Sequence, residues 1–182
     1  MRVVFLDRDG VINDNKDNGY ITSVEEFSLL PGVVESIKML NDCGFEVIIV
    51  SNQAGIAKGV VSWSALREIE QLLRRRLREV SGTILKVYYC PHLPESGCGC
   101  RKPEIGLLLR AAKDFALDLS TAFLVGDAIT DIEAGKRVGC YSVLVKSGRG
   151  RAQFQEQRSW PVKPDNIVAH LPEAVQVILS NA

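Results

Sequence analysis

The strongest constraint on the fold of this chain is a repeated alternation of short apolar runs with longer amphipathic stretches. The apolar runs are Val3–Leu6, Glu46–Val50, Leu85–Tyr89, Ala122–Val125 and Ser142–Val145. They are rich in Val, Ile and Leu with little apolar–polar alternation, as expected of strands covered on both faces. Between them, helical spacing runs over Val33–Asp42, opened by Pro31-Gly32, over Ile105–Phe115 and over Asp131–Val138. Ser62–Val80 reads as a longer helix, with Ser62 as its N-cap and Arg74, Arg75, Arg76 and Arg78 on an exposed basic face. A last short helix is expected over Leu171–Leu179. This order predicts an α/β domain with a mainly parallel sheet and helices on both faces. A chain of 182 residues suits one domain over 1–182 with a substantial core. Ser147–Pro164, rich in Gly, Arg, Gln and Pro, is expected to be an exposed excursion.

In open α/β sheets, ligands bind beyond the carboxyl ends of the strands. Asp7-Arg8-Asp9-Gly10 follows the first strand and Ser51-Asn52-Gln53 the second. Arg101-Lys102-Pro103 precedes a later helix, and Gly126-Asp127 follows the fourth strand, with Asp131 beyond. Each of these alone is an ordinary turn, cap or surface loop. Together they bring carboxylates, a hydroxyl and a lysine to one rim, a set suited to phosphoryl transfer. Asp7 and Asp9 lie two apart and leave the same face of an extended segment. One can attack phosphorus to form an aspartyl-phosphate; the other can protonate the leaving oxygen and then activate water. Carboxylates this close repel each other, and a divalent cation removes that penalty. Hard oxygen ligands select Mg²⁺. Ser51 and Asn52 can donate hydrogen bonds to phosphate oxygens, and Lys102 adds a compact positive charge.

Composition limits the alternatives. Lys plus Arg and Asp plus Glu both number 22, so no basic excess favours a nucleic-acid partner. No apolar run approaches the roughly 20 residues of a membrane span, and Val3–Leu6 is far too short for a signal-peptide core. A cytoplasmic, monomeric protein with no membrane partner is expected. Three of the five cysteines crowd into one loop, and in a reducing compartment this reads as metal binding. Cys90, His92, Cys98 and Cys100 form C-x-H-x5-C-x-C, and three thiolates with one imidazole make a closed, structural Zn²⁺ site. This clip over 90–100 leads straight into Arg101-Lys102, so its expected work is to position those cations. Cys43 and Cys140 stand in apolar context and are expected to be buried fillers, and His170 a surface residue.

The four strand-end motifs resemble those of the haloacid dehalogenase (HAD) superfamily phosphatases, matched at Asp7-Arg8-Asp9-Gly10, Ser51-Asn52-Gln53, Lys102, and Gly126-Asp127 with Asp131. The resemblance covers most of the chain. It implies a Rossmann-like HAD core, Asp7 as nucleophile and Asp9 as general acid/base. Mg²⁺ would be held by the Asp7 carboxylate, the Asp9 main-chain carbonyl and Asp127, with Ser51 and Lys102 on the transferring phosphate. Asp131 would either support the outer shell of the metal or cap the helix it opens.

About forty residues separate Asp9 from Ser51, and a helix, a strand and the clip account for Ser51 to Lys102. No separate cap domain fits in either interval, so specificity falls to loops: Asn13–Ser23, Gly55–Val60 and the zinc-stabilised loop. A phosphotransferase would need a closing lid, and a binding module would not need both Asp7 and Asp9. The narrower resemblance is to the family of D-glycero-D-manno-heptose 1,7-bisphosphate phosphatases and histidinol-phosphate phosphatases. Asn52-Gln53-Ala54-Gly55-Ile56-Ala57-Lys58-Gly59 is similar to the heptose branch, while the five-residue gap between His92 and Cys98 is similar to the histidinol branch. The resemblance implies a small phosphorylated substrate, with a heptose precursor of lipopolysaccharide or S-layer in the first branch. A bisphosphate would bring a second anionic group, for which Lys58 and Arg101 are the candidates, Arg101 through its bidentate fork; Gln53 is a further candidate substrate contact.

Overall fold

Residues 1–15 and 19–182 are described by a computed structural model of the chain. Six strands form one sheet: β1 (Arg2–Leu6), β2 (Phe45–Asn52), β3 (Lys86–Cys90), β4 (Phe123–Gly126), β5 (Tyr141–Val145) and β6 (Asn166–Val168). Their order is β3-β2-β1-β4-β5-β6 and every pairing is parallel. The helices are α1 (Val33–Asp42), α2 (Trp63–Arg78), α3 (Gly106–Phe115), α4 (Ile129–Arg137), α5 (Gly150–Gln155) and α6 (Leu171–Ser180). The five expected strands and five expected helices all form. β6 escapes the sequence reading because an edge strand of three half-buried residues carries too short an apolar signal.

Successive strand residues point to opposite faces, and the core divides accordingly. Val4, Leu6, Val47, Ile49, Val125 and Val145 pack on one face with Ile37 and Leu40 of α1, Ile69, Leu73 and Leu77 of α2, and Val175 and Ile178 of α6. Val3, Phe5, Ile48, Val50 and Leu124 pack on the other with Leu107, Leu108 and Ala111 of α3 and Ala134 of α4. These runs alternate little because both faces are covered. The Ser62 cap of α2 forms as expected, its Oγ accepting from Ala65 N at 3.0 Å.

The connections run outward from β1 through β2 to β3, then return to the other side of β1 for β4, β5 and β6. The reversal point lies between β1 and β4, where loops diverge above the strand ends and leave a crevice. Asp7 follows β1 and Asp127 follows β4, and Asp7 N donates to Val125 O at 2.9 Å. The topology therefore puts two distant carboxylates side by side.

Two expectations about other segments change. Ser147–Pro164 is not a plain excursion: it holds α5 and a 3-10 turn over Gln157–Ser159, and its first residues fold back against the strand ends. Cys43 is exposed, because it caps the end of α1 in the turn before β2, beyond the buried face of the helix. Cys140 is buried and His170 exposed, as expected.

Candidate active site

A cleft of about 610 Å³ opens above the β1–β4 junction, walled in part by Asp7, Asp9, Asn52, Gln53, Arg101, Lys102, Asp127 and Asp131. Asp7, Asp127 and Asp131 are all buried, and each offers a carboxylate oxygen within 4.8 Å of the others. Lys102, 3% exposed, reaches into this cluster: its Nζ lies 2.7 Å from Asp7 Oδ1, from Asp131 Oδ1 and from Val50 O. Burial works against the ammonium charge, but Asp131 and Asp7 outweigh it and raise the Lys102 pKa.

One lysine does not neutralise three carboxylates. Burial, with repulsion from Asp131 and Asp9, pushes the Asp7 carboxyl up to about 6 despite Lys102. Burial and the charges of Asp7 and Asp131 push Asp127 well above the ordinary carboxylate range. Such a pocket of crowded hard oxygens suits a divalent cation. Asp131 already has both oxygens engaged, Oδ1 with Lys102 and Oδ2 accepting from Ala128 N at 3.0 Å. It caps α4 and stands beside Asp7 and Asp127, tied to the first of them through Lys102.

Backbone shape makes this packing possible. Asp127 Oδ2 accepts from Arg149 N at 2.7 Å and lies between Gly10 (φ +89°) and Gly148 (φ +55°). A Cβ on Gly148 would lie 2.3 Å from that oxygen and 2.4 Å from Gly10 Cα. Only glycine allows such an approach at positive φ. Ser147 Oγ donates to Gly10 O at 2.6 Å, and Gln153 Oε1 accepts from Ile129 N at the start of α4. The segment after β5 thus straps the β1 loop to the start of α4. Ser147, Gly148 and Gln153 were missed because the segment looks like a polar loop, and only the Gly148-Arg149-Gly150 spacing hints at a tight turn.

Other expected site residues are distributed unevenly. Ser51 is 1% exposed at the end of β2, next to Asn52 and Gln53 of the cleft wall. Gln53 Nε2 donates to Ser51 Oγ at 3.0 Å and to Asp9 Oδ2 at 2.7 Å, so both its amide hydrogens are spent on protein groups rather than on a phosphate. Asn52 is likewise turned to the chain itself: Nδ2 donates to Lys102 O and Oδ1 accepts from Lys102 N, at 3.0 and 3.1 Å. Its work is to hold Lys102. Arg101 lines the cleft, with Nη1 donating to His92 O at 3.4 Å. Lys58 does not line it; its ammonium is exposed and stands 5.4 Å from the centre of the Tyr20 ring. Tyr20 rests against Gly55 and contributes to the cleft wall. The expected specificity loop Asn13–Ser23 includes Lys16, Asp17 and Asn18, which lie outside the described residues.

The Asp9 carboxylate stands apart from the cluster, bound to Arg8. Beside the cleft, Cys90, His92, Cys98 and Cys100 converge within 4.8 Å. Their donor separations are 3.2 to 3.7 Å: Cys90–Cys100, Cys90–Cys98, Cys98–Cys100 and His92 Nδ1–Cys100. Tetrahedral zinc with thiolate bonds near 2.3 Å needs edges of about 3.8 Å, so a small outward shift accommodates the ion. Burial disfavours the Cys98 thiolate, yet hydrogen bonds with Ser96 and with the Cys100 and Arg101 main chain bring its pKa down to about 6.

Comparison with known proteins agrees with this geometry. A family model described as HAD-hydrolase-like matches residues 99–174. The chain is 40% identical over 148 residues to the D-glycero-beta-D-manno-heptose-1,7-bisphosphate 7-phosphatase of Pseudomonas aeruginosa, spanning 81% of this chain and 83% of that one. It is 39% identical to the D-glycero-alpha-D-manno-heptose-1,7-bisphosphate 7-phosphatase of Photorhabdus laumondii, spanning 86% and 88%. Among solved structures, the D,D-heptose 1,7-bisphosphate phosphatase of B. bronchiseptica, complexed with magnesium and phosphate, superimposes with a TM-score of 0.93 at 32% identity, covering both chains fully.

Proposed function

Because the chain belongs to the heptose-1,7-bisphosphate 7-phosphatase family within the HAD-like hydrolases, we propose that it removes the C7 phosphate of D-glycero-D-manno-heptose 1,7-bisphosphate through an aspartyl-phosphate on Asp7. The observation that carries the reading is the convergence of Asp7, Asp127 and Asp131 on one buried point, with Lys102 paired to Asp7 and Asp131.

An Asp7 oxygen attacks phosphorus in line with the ester oxygen. Lys102 binds an equatorial phosphate oxygen as charge shifts onto it, and the Ser51 hydroxyl donates to another. Asp9 gives its proton to the departing sugar oxygen. In the second half it takes a proton from water as that water attacks phosphorus, and Asp7 is released as carboxylate. Mg²⁺ would be held by Asp7, Asp127 and the Asp9 main-chain carbonyl, with Asp131 behind them, and supplies charge neutralisation for the transferring group. Zn²⁺ would be held by Cys90, His92, Cys98 and Cys100 in a structural role. Arg101, which lines the cleft, would take the second phosphate by its fork.

No helix among the described residues is long and apolar enough to cross a membrane, and we place the enzyme's work in the cytoplasm as part of the same reading. We take the working form to be a monomer.

The decisive measurement is kcat/KM with Mg²⁺ for heptose 1,7-bisphosphate, both anomers, beside histidinol phosphate. The expected result is a lead of at least about tenfold for one bisphosphate anomer, equal to roughly 1.4 kcal/mol of transition-state preference. A comparable lead for histidinol phosphate would overturn the substrate, while release of phosphate by Asp7→Asn would overturn the mechanism.

A further inference from the structure

Asp9 is gripped from behind. Strand β1 ends at Leu6 and the chain bends at Arg8, so the adjacent Arg8 and Asp9 side chains meet rather than diverge. Arg8 Nε donates to Asp9 Oδ1 at 3.1 Å, and Nη2 reaches Oδ1 at 2.8 Å and Oδ2 at 2.9 Å. Asn13 Nδ2 donates to Oδ1 at 3.0 Å and Gln53 Nε2 to Oδ2 at 2.7 Å. Three side chains from two separate loops thus fix one carboxylate. Its cleft edge stays open: the Asp9 side chain is 20% exposed and lines the cleft, whereas Arg8 is 2% exposed and does not.

A buried guanidinium is an uneconomical way to hold a fold together. Desolvating an ion pair commonly costs as much as its attraction returns, and well-packed apolar residues often do as well or better. Here the cost is only partly offset, since Arg8 Nη1 is buried and takes no part in the grip on Asp9, with Tyr89 the other polar group against the guanidinium. Such a residue makes physical sense where a charge must be aimed. The nucleophile Asp7 already has its own cation in Lys102; the group that Arg8 aims is Asp9.

We propose that Arg8 is a positioning residue, whose fork, with Gln53 and Asn13, sets the direction in which Asp9 exchanges a proton with the leaving oxygen and with water. The inference rests on the phosphatase reading and adds to it a residue outside the cleft wall. In the first half-reaction the Asp7–phosphorus bond forms as the phosphorus–oxygen bond to the sugar breaks, and the Asp9 proton passes to that oxygen to give a neutral alcohol. A sugar oxygen is a poor leaving group without this proton, whereas nitrophenolate departs at neutral pH unaided. A slack Asp9 should therefore penalise the two esters unequally, and loss of general structure should not.

The test uses Arg8→Lys, which keeps the charge and removes the fork. Rapid-quench measurement with Mg²⁺ gives the rate of phosphoenzyme formation from heptose 1,7-bisphosphate and the burst rate from p-nitrophenyl phosphate. The expected result is a drop of about 10- to 100-fold for the sugar ester, the range set by misplaced proton transfer, with the burst within about threefold of wild type on the same grounds. KM for each should stay close to wild type. Equal drops for both esters, or an unchanged sugar-ester rate, overturn the proposal. If circular dichroism shows Arg8→Lys unfolded, Asn13→Leu removes one donor to Asp9 without touching Ser51 or Lys102 and must give the same unequal loss on a smaller scale. Failure of the phosphatase reading itself is seen separately, as wild type releasing phosphate from neither ester.

Discussion

At the residue scale, the site is a set of charges that the fold holds at a disadvantage until a cation arrives. An Asp7 carboxyl ionises near 3.8 in the unfolded chain but only at about 6 in the folded one. Its folded pKa is raised, so this contribution to stability is complete below pH 4 and is lost as pH rises through 6; the loss is on the order of 2–3 kcal/mol. Asp127 acts in the same direction. Mg²⁺ competes with those protons, so its stabilising effect must grow with pH. At a saturation near 100 times Kd, binding is worth about 2.7 kcal/mol, or roughly 5–10 °C in Tm for a domain of this size. Thermal melts should thus show a shift of that order with Mg²⁺ at pH 8 and little at pH 5. Equal shifts at both values would mean that the carboxylates are not the site of binding.

At the element scale, the zinc loop and the main chain hold neighbouring cations by different means. Arg101 leans on His92 O within the loop, whereas Lys102 is fixed by Asn52 and by two carboxylates outside it. Stripping zinc, with Mg²⁺ restored, should therefore displace Arg101 and spare Lys102. The expected outcome is a KM for the bisphosphate raised about tenfold or more, the cost of one lost charge-assisted contact, with p-nitrophenyl phosphate turnover within about threefold on the same grounds. Arg101→Ala should reproduce this pattern in zinc-loaded protein. Parallel losses on both substrates, in steady-state assays, would show that the loop supports the whole cleft instead. The strap after β5 belongs to the same scale: a segment that reads as polar loop is folded onto Gly10 and Asp127 by one hydroxyl, one main-chain N–H and a glycine.

At the scale of the whole molecule, the sheet separates stability from chemistry. Phe123 opens β4, packed against Phe45 and Tyr141 with ring centroids 5.9 and 5.5 Å away, while Asp127 follows the other end of the same strand. Phe123→Ala should cost about 3–5 kcal/mol of unfolding free energy, read from urea titration, while kcat at 20 °C remains near wild type. A matching collapse of kcat in protein shown to be folded would mean that the strand transmits strain to its active end.

The fold class follows from the order of residues, because runs of Val, Ile and Leu without alternation can be buried only in a sheet covered on both sides. That order also brought Asp7, Asp127 and Lys102 to one rim, since strand ends there leave them few other places to go. But it set Asp9 beside Asp7 and left Asp131 between two roles, whereas the fold turns the Asp9 carboxylate to Arg8 and brings in Asp131; the zinc ligands it grouped through their close spacing. Tertiary structure alone decided how the amides and cations between those positions are used. Asn52 and Gln53 carry groups equally able to bind phosphate or protein, and only packing turned them toward Lys102 and Asp9; Lys58 was drawn to Tyr20, and Arg8 to Asp9. A polar side chain can satisfy its hydrogen bonds in many ways, and which one it takes depends on neighbours remote in sequence that only the folded chain supplies.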